Sequence, residues 1–147
     1  MAGPLKSGPV CDNKNFPFYL FLFNNVNGGF RMIKTETLKK NFEFRRVLTK
    51  GNYLSGKYIE CFYIKSKAID KNFIGIAISS KIANAVNRNK IKRLIRENYS
   101  ILEKNIKTGN CFVFLWKKNK DISNATFINI KNDMDKIMME MDVYINE

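Results

Sequence analysis

Hydrophobic and polar positions change their spacing several times along the chain, and each spacing predicts a secondary-structure element. Apolar residues at helical intervals predict a short helix over residues 41–50. Residues 52–66, rich in Tyr, Ile and Phe, predict one or two strands broken near Gly56. The near-continuous apolar runs 72–80 and 111–116 predict two further strands that are buried.

Two longer helices are predicted in the second half of the chain. The first runs from an N-cap at Asn84 to about Lys107, and the second from a cap at Ser123 or Asn124 to about Tyr144. Together the elements predict an α+β fold, in which a central, mostly antiparallel β-sheet is packed by three helices in a compact two-layer domain.

Residues 1–31 differ in composition from the rest of the chain. Gly, Pro and polar residues precede the apolar run 16–23, which is far shorter than the ~20 residues that a membrane helix needs. No basic segment adjoins the run and no small-residue cleavage site follows it, so it does not resemble a signal peptide. We interpret residues 1–31 as an N-terminal extension outside the fold and 32–147 as the domain, with Met32 as a candidate start. A hydrophobic strand or a partner-binding tail is the alternative.

Charge is distributed unevenly. The sequence contains 26 Lys or Arg and 13 Asp or Glu, a net charge of +13. Residues 32–120 hold 21 of the basic and 6 of the acidic residues, whereas residues 121–147 hold 2 and 6. The basic character therefore belongs to the body of the domain and clusters around residues 81–96, which predicts nucleic-acid binding rather than general solubility.

Histidine is absent from the chain, which removes His general bases, catalytic triads and most metal-ligand sets. The three cysteines, Cys11, Cys61 and Cys111, lie far apart and form no C-x-x-C pair, as expected for a reduced, cytoplasmic protein without a zinc site. We therefore predict no catalytic residues and no metal ligands in the protein itself.

The segment from Asn84 to Arg96 concentrates five basic residues without an acidic one. On a helix, Arg88, Lys92 and Arg96 are four residues apart and share one side. The apolar residues of another side are Ile91, Leu94, Ile95, Ile101 and Leu102. The pattern predicts a helix with a buried face and, opposite it, a cationic stripe that a polyanion neutralises.

The segment Ser79 to Arg96, SSKIANAVNRNKIKRLIR, closely resembles the signature of the bacterial ribonuclease P protein component. The matching positions are Asn84, Ala85, Val86, Arg88, Asn89, Ile91, Lys92, Arg93 and Arg96. Leu38-Lys39-Lys40 with Phe44, Arg46, Val47 and Gly51 matches the N-terminal helix of the family, and Gly56-Lys57 its next strand. The resemblance extends over residues 33–144.

This resemblance implies a fold with a left-handed β-α-β crossover, against the usual handedness. It also implies an endoribonuclease holoenzyme that removes the 5′ leader from precursor tRNA and leaves a 5′-phosphomonoester. In that family the catalytic RNA performs the hydrolysis with bound magnesium. The implied partners of the protein are therefore the catalytic RNA and precursor tRNA, with no membrane.

Site residues follow from the same resemblance. The implied RNA-binding residues are Lys81, Asn84, Arg88, Asn89, Lys90, Lys92, Arg93 and Arg96. The implied leader-binding groove contains Phe44, Leu48 and Phe62, where the family often has aromatic residues. Periodicity alone favours core packing for Phe44, and the leucine at position 48 weakens the case for base stacking there.

Two alternatives share parts of this pattern. A ribosomal-type protein that binds structured RNA without processing it would have the same charge and aromatic content. A protein-only nuclease would need clustered carboxylates for a metal, and the closest acidic pair, Asp133 and Asp135, lies on the acidic last helix.

Overall fold

The computed structural model describes residues 32–145 and confirms the α+β class with three α-helices. The strands are β1 (Thr35–Thr37), β2 (Asn52–Ser55), β3 (Ile59–Lys65), β4 (Asn72–Ala77) and β5 (Asn110–Trp116). The α-helices are α1 (Asn41–Lys50), α2 (Ala85–Leu102) and α3 (Phe127–Met141). The predicted extension, residues 1–31, lies outside the described residues, and its role stays a prediction.

The five strands form one sheet in the order β1-β4-β5-β3-β2. β4 pairs in parallel with β1 and β5, whereas β3 pairs antiparallel with β5 and β2. The sheet is therefore mixed rather than mostly antiparallel. β1, which contributes one parallel pairing, has only three residues, too few for an alternating pattern to stand out in the sequence. The left-handed crossover stays a prediction from the resemblance.

Helices cover both faces of the sheet, so the domain has three layers rather than the two predicted. α2 and α3 pack on the face that presents Phe112, Phe114 and Trp116 of β5. α1 packs on the other face, over Cys111 and Val113 of the same strand. Alternate residues of a strand point to opposite faces, and both sets are apolar here, as the sequence predicts for a strand covered on both sides.

The ends of the helices depend on polar side chains. Asn84 caps α2 as predicted, since its side-chain oxygen accepts a hydrogen bond from the Asn87 N–H at 2.9 Å. The cap of α3 is Thr126 and not Ser123 or Asn124, because Thr126 Oγ1 accepts from the Asn129 N–H at 3.2 Å. An additional turn of 3₁₀ helix precedes α3 over Ile122–Asn124, which moves the start of the helix along the chain.

Glu103 ends α2 earlier than Lys107, where the sequence pattern placed its end. A 3₁₀ turn begins at this residue. The buried carboxylate of Glu103 accepts hydrogen bonds from the backbone N–H groups of Ile33 and Lys34, at 2.8 and 3.0 Å. The end of α2 therefore holds the chain that leads into β1.

Asp133 of α3 holds the turn between β2 and β3. Its carboxylate accepts hydrogen bonds from the N–H groups of Lys57, Tyr58 and Ile59, at 3.0, 2.7 and 3.0 Å. A Cβ on Gly56 would lie 2.6 Å from the carboxyl carbon of Asp133, so this close approach requires glycine. Asp133 is 5% exposed and thus serves as a structural anchor.

Candidate nucleic-acid interface

The first turns of α2 lie at the end of the sheet where β4 stops. The segment between them makes a tight turn, in which Ser79 Oγ accepts from the Lys81 N–H at 3.1 Å. The cap at Asn84 then directs the helix back along the sheet. This geometry exposes part of the predicted RNA-binding set to solvent: Lys81, Asn84, Asn89, Lys90 and Arg93.

The predicted stripe of Arg88, Lys92 and Arg96 does not lie opposite the buried face. Arg88 and Arg96 are half-buried, and Lys92 is only 2% exposed. At about 100° per residue, Lys92 lies roughly 60° from the fully buried Ile95. The stripe therefore runs along the flank of the buried face, and the outward cations of α2 are Lys90 and Arg93. Ile101, predicted on the apolar face, is 52% exposed.

Burial lowers the pKa of two basic residues on this flank. Loss of solvation, followed by the neighbouring charges of Arg88 and Arg96, lowers the pKa of Lys92 to about 7. Burial also lowers the pKa of Arg96. Because Lys92 is only 2% exposed, its contact with RNA stays a prediction.

Arg88 joins the helix to the segment before it. One guanidinium nitrogen, Nη1, donates a hydrogen bond to the carbonyl oxygen of Ala83 at 2.8 Å. The guanidinium group carries five N–H donors in a planar arrangement, so it can make more than one contact at a time. Arg88 thus has a structural contact in addition to its predicted role in RNA binding.

Phe44, Leu48 and Phe62, the three predicted groove residues, come together on the sheet face that α1 covers. They are 1%, 4% and 5% exposed, so their side chains belong to the core between α1 and the sheet. A Cβ on Gly75 would lie 2.5 Å from Cε1 of the Phe44 ring, which shows how closely α1 approaches β4. Their contact with a leader stays a prediction, since burial leaves little of each side chain accessible.

Comparisons with known proteins identify the family. A family model described as Ribonuclease P matches residues 32–142. The chain belongs to the ribonuclease P protein family. The ribonuclease P protein component of Clostridioides difficile strain 630 is 32% identical over 113 residues, covering 76% of this chain and 96% of that protein. The one from Staphylococcus aureus strain N315 is 33% identical over 113 residues, covering 77% and 96%.

Solved structures agree with this family. The Staphylococcus aureus RNase P protein matches with a TM-score of 0.65 at 29% sequence identity, covering 74% of this chain and 97% of that one. The RNase P protein from Thermotoga maritima matches with a TM-score of 0.61 at 20% identity and shares the fold. The resemblance predicted from the segment Ser79 to Arg96 is therefore confirmed at the level of the family.

One exposed aromatic residue of this family member was missed by the sequence reasoning. Phe42 of α1 is 61% exposed, and Lys40 Nζ lies 5.7 Å from its ring centroid. Arg45 and Arg46 are also exposed on α1. The helical spacing could have predicted this exposure, because Phe42 lies off the buried face defined by Phe44, Val47 and Leu48.

Asp133 and Asp135, the acids that the sequence places closest together, have separate partners in the structure. Over residues 32–145 no group of three or more His, Cys, Asp or Glu side chains could hold a metal ion. Asp133 binds three backbone N–H groups, and Asp135 pairs with Lys131 at 3.0 Å. Within the described part of the chain, no helix is long and apolar enough to cross a membrane.

Proposed function

We propose that this chain is the RNA-binding protein subunit of ribonuclease P, which removes the 5′ leader from precursor tRNA together with a catalytic RNA. The observation that carries the proposal is the family signature on α2, whose outward cations Lys90 and Arg93 lie beside the exposed Asn89. The partners are the catalytic RNA and precursor tRNA, and the cytoplasm is the proposed location.

Contacts of α2 with phosphates supply affinity and a strong dependence on salt. We assign these contacts to the following residues: Lys81, Asn84, Arg88, Asn89, Lys90, Lys92, Arg93 and Arg96. Magnesium would be held mainly by the catalytic RNA and would supply the activation of water for hydrolysis of the phosphodiester. The protein contributes by binding catalytic RNA and substrate together and so orienting the scissile bond.

The leader is proposed to lie in a groove beside α1, which Phe44, Leu48 and Phe62 support from within the core. Contacts of this kind tolerate different leader sequences, because they use backbone charge and the faces of unpaired bases. Phe62 packs against Tyr53, with ring centroids 5.0 Å apart. Tyr53 is half-buried, so it provides a more accessible ring at the same place.

The proposal is tested by precursor-tRNA cleavage at low magnesium with a bacterial catalytic RNA, with and without this protein. We expect the protein to stimulate cleavage and to have no activity alone. If the protein binds the RNA without stimulating cleavage, a structured-RNA-binding role without processing replaces the proposal. Cleavage by the protein alone would show that it is itself a nuclease.

Arg93→Ala is expected to weaken binding of the catalytic RNA by about tenfold or more, because a charge-assisted hydrogen bond contributes about 1.5–3 kcal/mol. Arg93 is exposed on α2, so the change removes charge with little effect on the core. Arg88→Ala is expected to weaken binding similarly and also to lower stability, since it removes the contact with Ala83. Filter binding and thermal unfolding measure the two effects.

Lys136→Ala is the matched control, because Lys136 is an exposed lysine on α3. This variant is expected to bind the catalytic RNA within about twofold of the wild type, as surface substitutions away from a site have small effects. An equal loss in Lys136→Ala and Arg93→Ala would mean that net charge, and not the surface of α2, determines the affinity.

A further inference from the structure

Three segments meet at the end of the sheet where β4 and β5 stop. Ala77 pairs with Leu115, so the parallel strands β4 and β5 end side by side. Ile59, the first residue of β3, pairs with Trp116, the last residue of β5. The segments that follow β4, follow β5 and precede β3 are therefore neighbours, separated by roughly 5 Å per strand.

A pair of stacked aromatic rings connects the segment before β3 with the end of β5. The rings of Tyr58 and Trp116 are stacked, with centroids 5.9 Å apart and planes 11° apart. Lys57 Nζ lies 5.3 Å and Lys120 Nζ 6.0 Å from the Tyr58 ring centroid. Both ammonium groups are within the range of a cation–π interaction, so a single ring contacts two lysines from different segments.

The backbone beneath these lysines is well anchored. The Lys117 N–H donates to the Tyr58 carbonyl at 2.9 Å, and Trp116 Nε1–H donates to the Lys120 carbonyl at 3.0 Å. The Asp133 carboxylate holds the N–H groups of the turn between β2 and β3. A cationic surface with a fixed backbone loses little entropy when it binds a polyanion.

Within residues 32–145, no ion pair joins a carboxylate to Lys57 or Lys120. In this part of the chain, Lys71 pairs with Glu36 and Lys131 with Asp135. Asp133 already accepts hydrogen bonds from three N–H groups, and Asp121, which follows Lys120 in the chain, accepts one from the Ser123 N–H at 2.8 Å. The lysine-rich surface here consists of Lys57, Lys117, Lys118 and Lys120, and we call it the β5-end surface.

We propose that the β5-end surface is a second contact for the phosphate backbone of the catalytic RNA, continuous with the first turns of α2. The proposal rests on the proposed function, since it assumes the same RNA. The position of this surface favours the catalytic RNA over the leader. Because β4 pairs with β5, the segment that follows β4 lies beside the end of β5. That segment contains Lys81, the first residue of the α2 surface. Tyr58 acts as a positioning residue for Lys57 and Lys120.

The test compares two triple variants of equal charge. The test variant carries Lys57→Gln, Lys118→Gln and Lys120→Gln. The control variant carries Lys67→Gln, Lys104→Gln and Lys107→Gln, three exposed lysines near the opposite end of the sheet, where β3 ends and β5 begins. Binding of the catalytic RNA is titrated over a range of salt concentrations, after thermal unfolding has verified that both variants fold.

The test variant is expected to bind the catalytic RNA about tenfold or more weakly than the wild type. The magnitude of the slope of log K against log salt concentration should decrease by about 2, since each phosphate contact contributes roughly 0.7–0.9 to it. The control variant should keep the wild-type slope. Equal changes in both variants would overturn the proposal in favour of a general effect of charge. If the test variant instead loses affinity only for precursor tRNA with a leader, and binds the catalytic RNA as the wild type does, the proposal is overturned in favour of a leader contact.

Failure of this inference is distinguishable from failure of the proposed function. If the wild-type protein stimulates cleavage and the test variant binds the catalytic RNA as tightly as the wild type, only the second contact is refuted. If the wild-type protein neither binds the catalytic RNA nor stimulates cleavage, the proposed function fails, and this inference fails with it.

Discussion

Phe44→Ala is expected to lower the free energy of unfolding by about 3–5 kcal/mol, the usual cost of truncating a buried phenylalanine. The Phe44 ring is 1% exposed and lies directly over Gly75, where a Cβ would clash with it. Removing the ring leaves a cavity that α1 cannot fill, because the helix already contacts the sheet closely through Val47 and Leu48. Urea denaturation measures the change, and a loss under 1 kcal/mol would contradict this packing.

Phe44→Leu separates a leader contact from core packing. Leucine retains much of the apolar volume, so this variant is expected to remain folded at assay temperature. If Phe44 contacts the leader, the variant loses affinity for precursor tRNA with a leader but keeps its affinity for the same tRNA without one. Equal losses for both substrates would refute the leader role of Phe44 and leave it as a core residue.

Asp133→Asn is expected to destabilise the protein by about 3 kcal/mol or more, because each lost hydrogen bond to a charged acceptor contributes about 1.5–3 kcal/mol. The carboxylate binds the N–H groups of Lys57, Tyr58 and Ile59 through both of its oxygens. In asparagine one of those oxygens is replaced by an NH₂ donor that faces other donors. Thermal or urea unfolding of the two proteins tests the prediction.

Asp135→Asn, two residues away on α3, is the matched control for the loss of a carboxylate. Asp135 pairs with Lys131 at 3.0 Å, and both side chains are partly exposed. An exposed pair of this kind contributes only about 0–1 kcal/mol, so the control should unfold almost as the wild type does. Similar losses at both positions would show that the helix tolerates neither change and that the anchor is not specific to Asp133.

Asp133 also shows why an acidic pair in a sequence is weak support for a nuclease. In the sequence, Asp133 and Asp135 are the closest acids and could have shared a metal. On a helix, residues two apart point in different directions. The structure accordingly directs Asp133 into the turn before β3 and leaves Asp135 with Lys131.

Local features of this protein could be read from its sequence because they depend on neighbouring residues. The cap at Asn84, the break between β2 and β3 near Gly56 and the apolar strands β4 and β5 all follow from local patterns. The signature from Ser79 to Arg96 was sufficient to indicate the family that the comparisons confirm. The charge distribution along the chain predicts a nucleic-acid partner, which belongs to the proposed function.

Tertiary structure decided the features that depend on residues far apart in the chain. The third layer, the pairing of β1 with β4 and the anchor between Asp133 and the turn before β3 join segments that no local pattern connects. Helical spacing grouped Arg88, Lys92 and Arg96 on one side, but only packing showed that this side adjoins the core and buries Lys92. Sequence spacing thus determines which residues share a face, and only the packing of the whole chain determines which faces water can reach.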